Sequence, residues 1–269
     1  MLNCLSLKAI LYFMNKLAII TGASGGIGRE FANQLAKDKY DLIIVSRDKK
    51  ELENVAAEIH TDFGAKVECI ALDLTEDDAV EKLWEHVGTR NVHTLINNAG
   101  FGDLSPVVAA DFAKLQSMIT LNISAVTQLS QLAAQRMKSE GTGQILNVAS
   151  IAAFIPGPGM ATYYATKAYV LSFSEALSEE LKGTGVSVTA LCPGPTKTHF
   201  AQSAGAEKSG LFSGNIPTAA AVAEYGYNAM KDGKVVAVHG FKNKISSLVM
   251  PRLLPRFIIR KVVNKLQNS

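Results

Sequence analysis

"LAIITGASGGIGREFANQLAKDK", residues 17–39, joins three unlike pieces. A short apolar run is followed by a cluster of glycines, and then by a stretch whose apolar residues recur at helical spacing. A buried strand, a tight turn and a helix fit that order. Gly22, Gly26 and Gly28 let the backbone turn sharply, approach a pyrophosphate and pack the helix against a sheet. The helix N-terminus, with Ser24 and Ile27 in the same turn, then offers N–H groups and a partial positive charge to phosphates. The spacing T-G-x-x-x-G-x-G differs from the common G-x-G-x-x-G dinucleotide string. It is not a P-loop either, because no lysine follows Gly28.

The strand–helix unit repeats along the chain. "DLIIVS" (41–46), "KVECIALDL" (66–74), "VHTLINNAG" (92–100), "GQILNVAS" (143–150), "VSVTALCPG" (186–194) and "KVVAVHG" (234–240) are short apolar runs. Between them lie amphipathic stretches, including long helices expected near 111–139, 161–182 and 218–231. This alternation predicts an α/β fold: a single-domain, doubly wound parallel sheet of the Rossmann type, about seven strands with helices on both faces. No linker or low-complexity tract divides residues 15–269.

The two ends differ from this pattern. Residues 1–14 read as an N-terminal extension, too short and too broken by Lys8 for a spanning helix, and without the features of a leader. Residues 251–269 read as a basic amphipathic helix, expected to pack on its own subunit or a partner, with an anionic membrane surface as the alternative. A net charge of +3 and the lack of a basic stripe interleaved with aromatics exclude a nucleic-acid binder. Cys4, Cys69 and Cys192 have neither disulfide nor metal spacing, which fits a reducing cytoplasm and no metal site.

In such a sheet the ligand sits outside the carboxyl ends of the strands. The second strand commonly ends there in an Asp or Glu that holds a free ribose 2′-hydroxyl. Here Ser46 and Arg47 take that place, and Asp48 falls later, turned into the next helix. A carboxylate repels a 2′-phosphate, whereas an arginine clamps it. The expected cofactor is NADP(H), with NAD(H) as runner-up.

"TYYATKAYV", residues 162–170, sets two tyrosines before a lysine. On a helix Tyr163 stands four residues before Lys167 and Tyr164 three, so spacing alone leans only weakly to Tyr163.

Several motifs in one order carry a resemblance. They are Thr21-Gly22 with Gly26 and Gly28, Asp73 in "LDL", Asn97-Asn98-Ala99-Gly100, Asn122, Ser150, Tyr163 with Lys167, and Pro193-Gly194 with Thr198. Together they resemble the short-chain dehydrogenase/reductase family, in its short single-domain branch, over nearly all of the chain after Met14. The resemblance selects Tyr163 through the family's Tyr-x-x-x-Lys, and leaves Tyr164 as a packing or pocket residue.

It also implies roles. Asn122, Ser150, Tyr163 and Lys167 would be catalytic. Tyr163 would exchange a proton with the substrate oxygen, and the Lys167 ammonium would lower the phenol's pKa from about 10. Lys167 would also bond the nicotinamide ribose, Ser150 would hold the substrate oxygen, and Asn122 would fix a water leading protons toward the lysine. Asp73 and Leu74 would meet the adenine, and Asn98, Ala99 and Gly100 would line the cleft. Pro193, Gly194, Thr196 and Thr198 would hold the nicotinamide end, with Cys192 packed nearby. A homodimer or homotetramer through the long helix and the helix after Tyr163 is the family expectation.

"IAAFIPGPGMAT" (151–162) carries no charge, so the expected substrate is an apolar carbonyl compound or the matching alcohol: a lipid-like or aromatic ketone, an aldehyde, or an acyl chain. Residues 199–215, with Gly205, Gly210 and Gly214, read as its lid, and His199 as a lid residue. The leading expectation is an NADP(H)-dependent carbonyl reductase or alcohol dehydrogenase. The alternative is a catalytically silent cofactor sensor or scaffold, which predicts a broken set of catalytic residues.

Overall fold

The computed structural model describes residues 16–207, 209–210 and 216–267. The N-terminal extension and part of the expected lid lie outside the described residues. Seven parallel strands form one sheet in the order β3-β2-β1-β4-β5-β6-β7. They are β1 (Leu17–Thr21), β2 (Asp41–Ser46), β3 (Val67–Ala71), β4 (Val92–Asn97), β5 (Gly143–Val148), β6 (Val186–Cys192) and β7 (Val236–Val238). The connecting helices include α1 (Gly26–Lys37), α2 (Lys49–Phe63), α3 (Ala79–Val87), α4 (Phe112–Ile119), α5 (Val126–Glu140), α6 (Ala161–Glu180), α7 (Phe200–Ser203) and α8 (Ala219–Lys231).

Side-chain alternation explains the two covered faces. Ala18, Ile20, Leu42 and Ile44 point into one core with Phe31 and Leu35 of α1, Leu52 and Ile59 of α2, and Val222 and Met230 of α8. Their neighbours Ile19, Ile43 and Val45 point into the other, with Leu83 of α3 and Leu129 and Met137 of α5. Both faces are apolar, so the strands read as continuous hydrophobic runs. The direction of the strand order reverses between β1 and β4, which opens a crevice at their carboxyl ends.

The long helix expected near 111–139 is interrupted. Between α4 and α5 the chain makes a π-helical turn, Thr120–Ala125, and Asn122 lies in it. Sequence periodicity does not signal a one-residue change in pairing, and such turns gather at functional sites.

Beyond β7 come α9 (Phe241–Lys244), a π turn (Ile245–Val249), α10 (Met250–Leu253) and α11 (Arg256–Gln267). The expected basic tail is thus a helix, and it packs on its own subunit through Ile259 and Val263. Among the described residues no helix is long and apolar enough to cross a membrane.

Candidate active site

The glycine turn and the end of β4 interlock across the crevice. Gly22 adopts a φ of +67° and donates its N–H to the Val45 carbonyl at 2.7 Å. The Asn98 amide donates to the carbonyls of Thr21 and Gly22, both at 3.0 Å. The Thr21 hydroxyl accepts from the N–H groups of Asn98 and Ala99 at 3.0 Å each. A Cβ on Gly28 would lie 2.3 Å from the Gly22 carbonyl oxygen, which is why that position has no side chain. By contrast a Cβ on Gly25 would meet nothing within 4 Å, and the N-cap of α1 has no side-chain partner. Open space above an uncapped helix N-terminus fits a bound phosphate. Ile27 packs partly against the core, so its side chain turns from that space.

At the end of β2, Ser46 donates its hydroxyl hydrogen to Ser24 at 2.9 Å. Asp48 caps α2 by accepting from the Glu51 N–H at 3.0 Å, as the sequence leads one to expect. Arg47 is left with its side chain 76% exposed, 3.7 Å from Asp73. Burial raises the Asp73 carboxyl, but hydrogen bonds from Thr75 and the Arg47 guanidinium outweigh it and hold the group below its usual range. The Leu74 side chain lies in the core, so it does not reach the cleft as expected of an adenine contact.

Ser150, Tyr163 and Lys167 come together where β5 and α6 meet. All three are buried, and the Ser150 hydroxyl accepts from the Ala152 N–H at 3.1 Å and donates to the Pro193 carbonyl at 3.4 Å. Lys167 Nζ donates to the Val148 carbonyl at 2.7 Å and lies 5.9 Å from the centre of the Tyr163 ring. The expected electrostatics need correction here. Burial pushes the Tyr163 phenol above its ordinary range, although a hydrogen bond with Ser150 pulls the other way. Burial also draws the Lys167 ammonium down to about 8, against a small opposing pull from Cys192. Desolvation disfavours the charged form of both groups, and at this separation Lys167 does not reverse it for the phenol. Cys192 is buried, its thiol raised to about 12 by the same cause, so it is a packing residue.

Asn122 is fully buried. Its Oδ1 accepts from the Phe101 N–H at 3.2 Å, and its Nδ2 donates to the Phe101 carbonyl at 3.0 Å and to Thr166 Oγ1 at 3.1 Å. Thr166 in turn donates to the Tyr163 carbonyl at 2.7 Å. Gly100 passes close by: a Cβ there would be 2.9 Å from Asn122 Oδ1 and 3.5 Å from Lys167 Nζ.

Beyond β6, Thr196 donates to the Gly194 carbonyl at 2.9 Å, and the Thr198 methyl would touch a Cβ on Gly26 at 3.2 Å. The loop after β6 thereby meets the glycine turn. His199 is exposed at the start of α7.

Over Tyr163 lies an apolar wall of Met118, Met160, Tyr164, Ile259 and Val263, with Phe101, Leu104, Ile155, Phe200 and Leu254 at its margin. The Phe200 ring sits 5.4 Å from that of Tyr163. The parts that sequence reasoning missed are Thr166, the contacts of Phe101 and Phe200 beside Tyr163, and the place where α11 docks. Only α11 left a signal, its apolar–basic pattern, and that pattern named no target. A separate groove of about 630 Å³ lies at the amino ends of the strands, lined by Lys16, Tyr40, His93 and Gln144. It faces away from Tyr163 and the glycine turn.

Comparison with known proteins agrees with this geometry. Residues 16–209 match the family model for short chain dehydrogenases. The chain belongs to that family. Human 17-beta-hydroxysteroid dehydrogenase type 3 is 36% identical over 190 residues, 69% of this chain and 61% of the relative. The very-long-chain 3-oxoacyl-CoA reductase of Bos taurus is 32% identical over 194 residues, 71% of this chain and 62% of the relative. The chain thus matches about three fifths of the length of these two relatives. A solved short-chain dehydrogenase from Sphingobium yanoikuyae, in complex with NADPH, superposes with a TM-score of 0.80 at 30% identity. That match covers 88% of this chain and 94% of the other.

Proposed function

We propose that this short-chain dehydrogenase is an NADP(H)-dependent oxidoreductase that interconverts a carbonyl and an alcohol on an apolar, lipid-like molecule. The observation that carries the reading is the burial of Tyr163 between Ser150 and Lys167, under a wall of apolar side chains. The names of its relatives, which act on steroids or very-long-chain 3-oxoacyl groups, point to the same substrate class.

The open N-terminus of α1, with Ser24, Ser46 and the exposed Arg47, would hold the diphosphate and 2′-phosphate end of NADP(H). The NADPH-bound neighbour supports that choice. Bound there, the cofactor supplies the hydride. Everything else falls to the chain. Ser150 would donate a hydrogen bond to the substrate oxygen and stabilise charge growing on it. Tyr163, held protonated by its burial, would give that oxygen its proton, so the arrangement suits carbonyl reduction at neutral pH. Lys167 would replenish the proton and hold the ribose. The Asn122 side chain is committed to Phe101 and Thr166, so it would steady the helix turn carrying Tyr163, and a water relay would use its backbone.

The apolar wall favours substrates without charge near the reacting carbon. Assembly as a homodimer or homotetramer through α5 and α6 belongs to the same reading. There Tyr169 stacks on Phe173 at 5.8 Å and bonds Thr127 across the two helices.

The test is oxidation of NADPH and NADH across a panel of apolar ketones and aldehydes, with Tyr163→Phe as control. Turnover is expected with NADPH and is expected to fall by roughly 10²–10⁴-fold in the variant, while NADPH binding is retained. NADPH binding without turnover on any ketone would favour a catalytically silent sensor instead.

A further inference from the structure

The chemistry of the cleft leaves one region without a role: the surface built by α9, α10, α11 and the π turn between the first two. In the sequence, residues 233–269 hold eight Lys and Arg and no Asp or Glu, while residues 1–232 hold 19 basic and 24 acidic residues. The chain's small net charge therefore conceals a strongly basic end on an acidic body. Lys242, Lys244, Arg252, Arg256, Arg260, Lys261 and Lys265 are all exposed. None of them forms an ion pair among the described residues.

The same surface is unusually apolar between its charges. Phe241, Ile245, Val249 and Leu253 recur every fourth residue and are 77%, 41%, 45% and 75% exposed. On α11, Phe257 and Val262 are 54% and 44% exposed, while Ile259 and Val263 on the opposite side are buried against the wall over Tyr163. At 100° per residue, Val262 lies beside the buried row, and Phe257, Lys261 and Lys265 share the outward row. Bulky apolar groups flanked by long cations are what an interfacial helix presents: the rings and branched chains enter the lipid boundary, and the ammonium and guanidinium groups reach the headgroups.

We propose that this surface docks the protein on an anionic lipid bilayer. Charge separates this occupant from a second copy of the chain. A two-fold contact through this face would set its cations against the same cations, whereas an anionic bilayer complements all of them. Docking there places α11 between the lipid and the apolar wall, so a lipid-like substrate has a short route from bilayer to Tyr163. That last consequence rests on the proposed function; the docking itself does not.

The test is flotation of the full chain with phosphatidylglycerol-containing vesicles and with pure phosphatidylcholine vesicles, at about 0.05 M and about 0.5 M salt. Binding is expected to the anionic vesicles only, and to weaken at the higher salt. The triple variant Arg260→Glu, Lys261→Glu, Lys265→Glu is expected to bind on the order of a hundredfold more weakly, at about fivefold per cation removed. Its thermal melt serves as the check on folding. If the variant does not fold, lipid dependence and salt dependence of the unaltered chain still decide. Equal binding to both vesicle types, or none at low salt, would overturn the proposal. So would a dimer in sedimentation that these three reversals dissociate.

Discussion

Arg47 is the side chain on which the proposed preference for NADP(H) over NAD(H) rests. The position after β2 is free of carboxylate because Asp48 is taken by the N-cap of α2, and the largely exposed guanidinium lies 3.7 Å from Asp73. A hydrogen bond to a charged group is worth about 1.5–3 kcal/mol, so Arg47→Gln is expected to cut the preference for NADPH over NADH by roughly 10–100-fold. Fluorescence titration with both nucleotides checks it, and an unchanged ratio would move the 2′-phosphate elsewhere. Lys167 offers a second measurement at this scale. Burial sets its ammonium at about 8, below its ordinary value, so it is charged below that pH and neutral above it. If the proton it carries feeds Tyr163, kcat for reduction stays high on the acid side and declines as pH rises through about 8. A profile flat to about pH 10 would show that the charge is not needed.

Among the elements, β3 is one of the two edge strands and the least buried of the seven. Its Glu68 ties it to α3 and the turn that follows: the carboxylate accepts from His86 at 2.9 Å and from Arg90 at 2.8 and 2.9 Å, with Lys66 at 3.3 Å. Burial raises the Glu68 pKa, but these three partners overcome it and bring the group to about 2. The folded value lies below the unfolded one near 4.5, so the stabilisation is complete above that pH and is lost as pH falls toward about 2. The partners are partly exposed, and screening leaves a contribution of about 1–2 kcal/mol. Urea melts of wild type and Glu68→Gln are expected to differ by that amount at neutral pH and to converge in acid. A constant gap across the range would mean the loss is one of packing.

At the scale of the molecule, what could be read from the sequence followed from local pattern. The strand–helix alternation and the glycine turn are short-range features, and they located the sheet and the crevice. Tyr163, Lys167 and Ser150 stood out only through the family resemblance, since spacing alone leaned weakly to Tyr163 over Tyr164. Contacts between distant positions left no such mark. The buried network in which Asn97 donates to Ser130 and Asn147, and Asn147 to Ser174, joins four elements with no periodic signal. The return of α11 to the cleft is of the same kind. Gln267 donates to the Tyr164 hydroxyl at 3.1 Å across 103 positions, which ties the second tyrosine of "TYYATK" to α11. Removing residues 256–269 takes away this bond and the burial of Ile259 and Val263. At about 1.5–3 kcal/mol for each buried side chain, the loss is roughly 3–6 kcal/mol, or on the order of 10 °C in Tm. The effect on substrates should be more telling than that on stability. With one wall of the cleft gone, KM for bulky ketones should rise while NADPH affinity, which the proposed function places at the glycine turn and Arg47, should hold. Parallel loss of both would mean that α11 supports the whole fold rather than the pocket, and steady KM values would mean that substrate never reaches it.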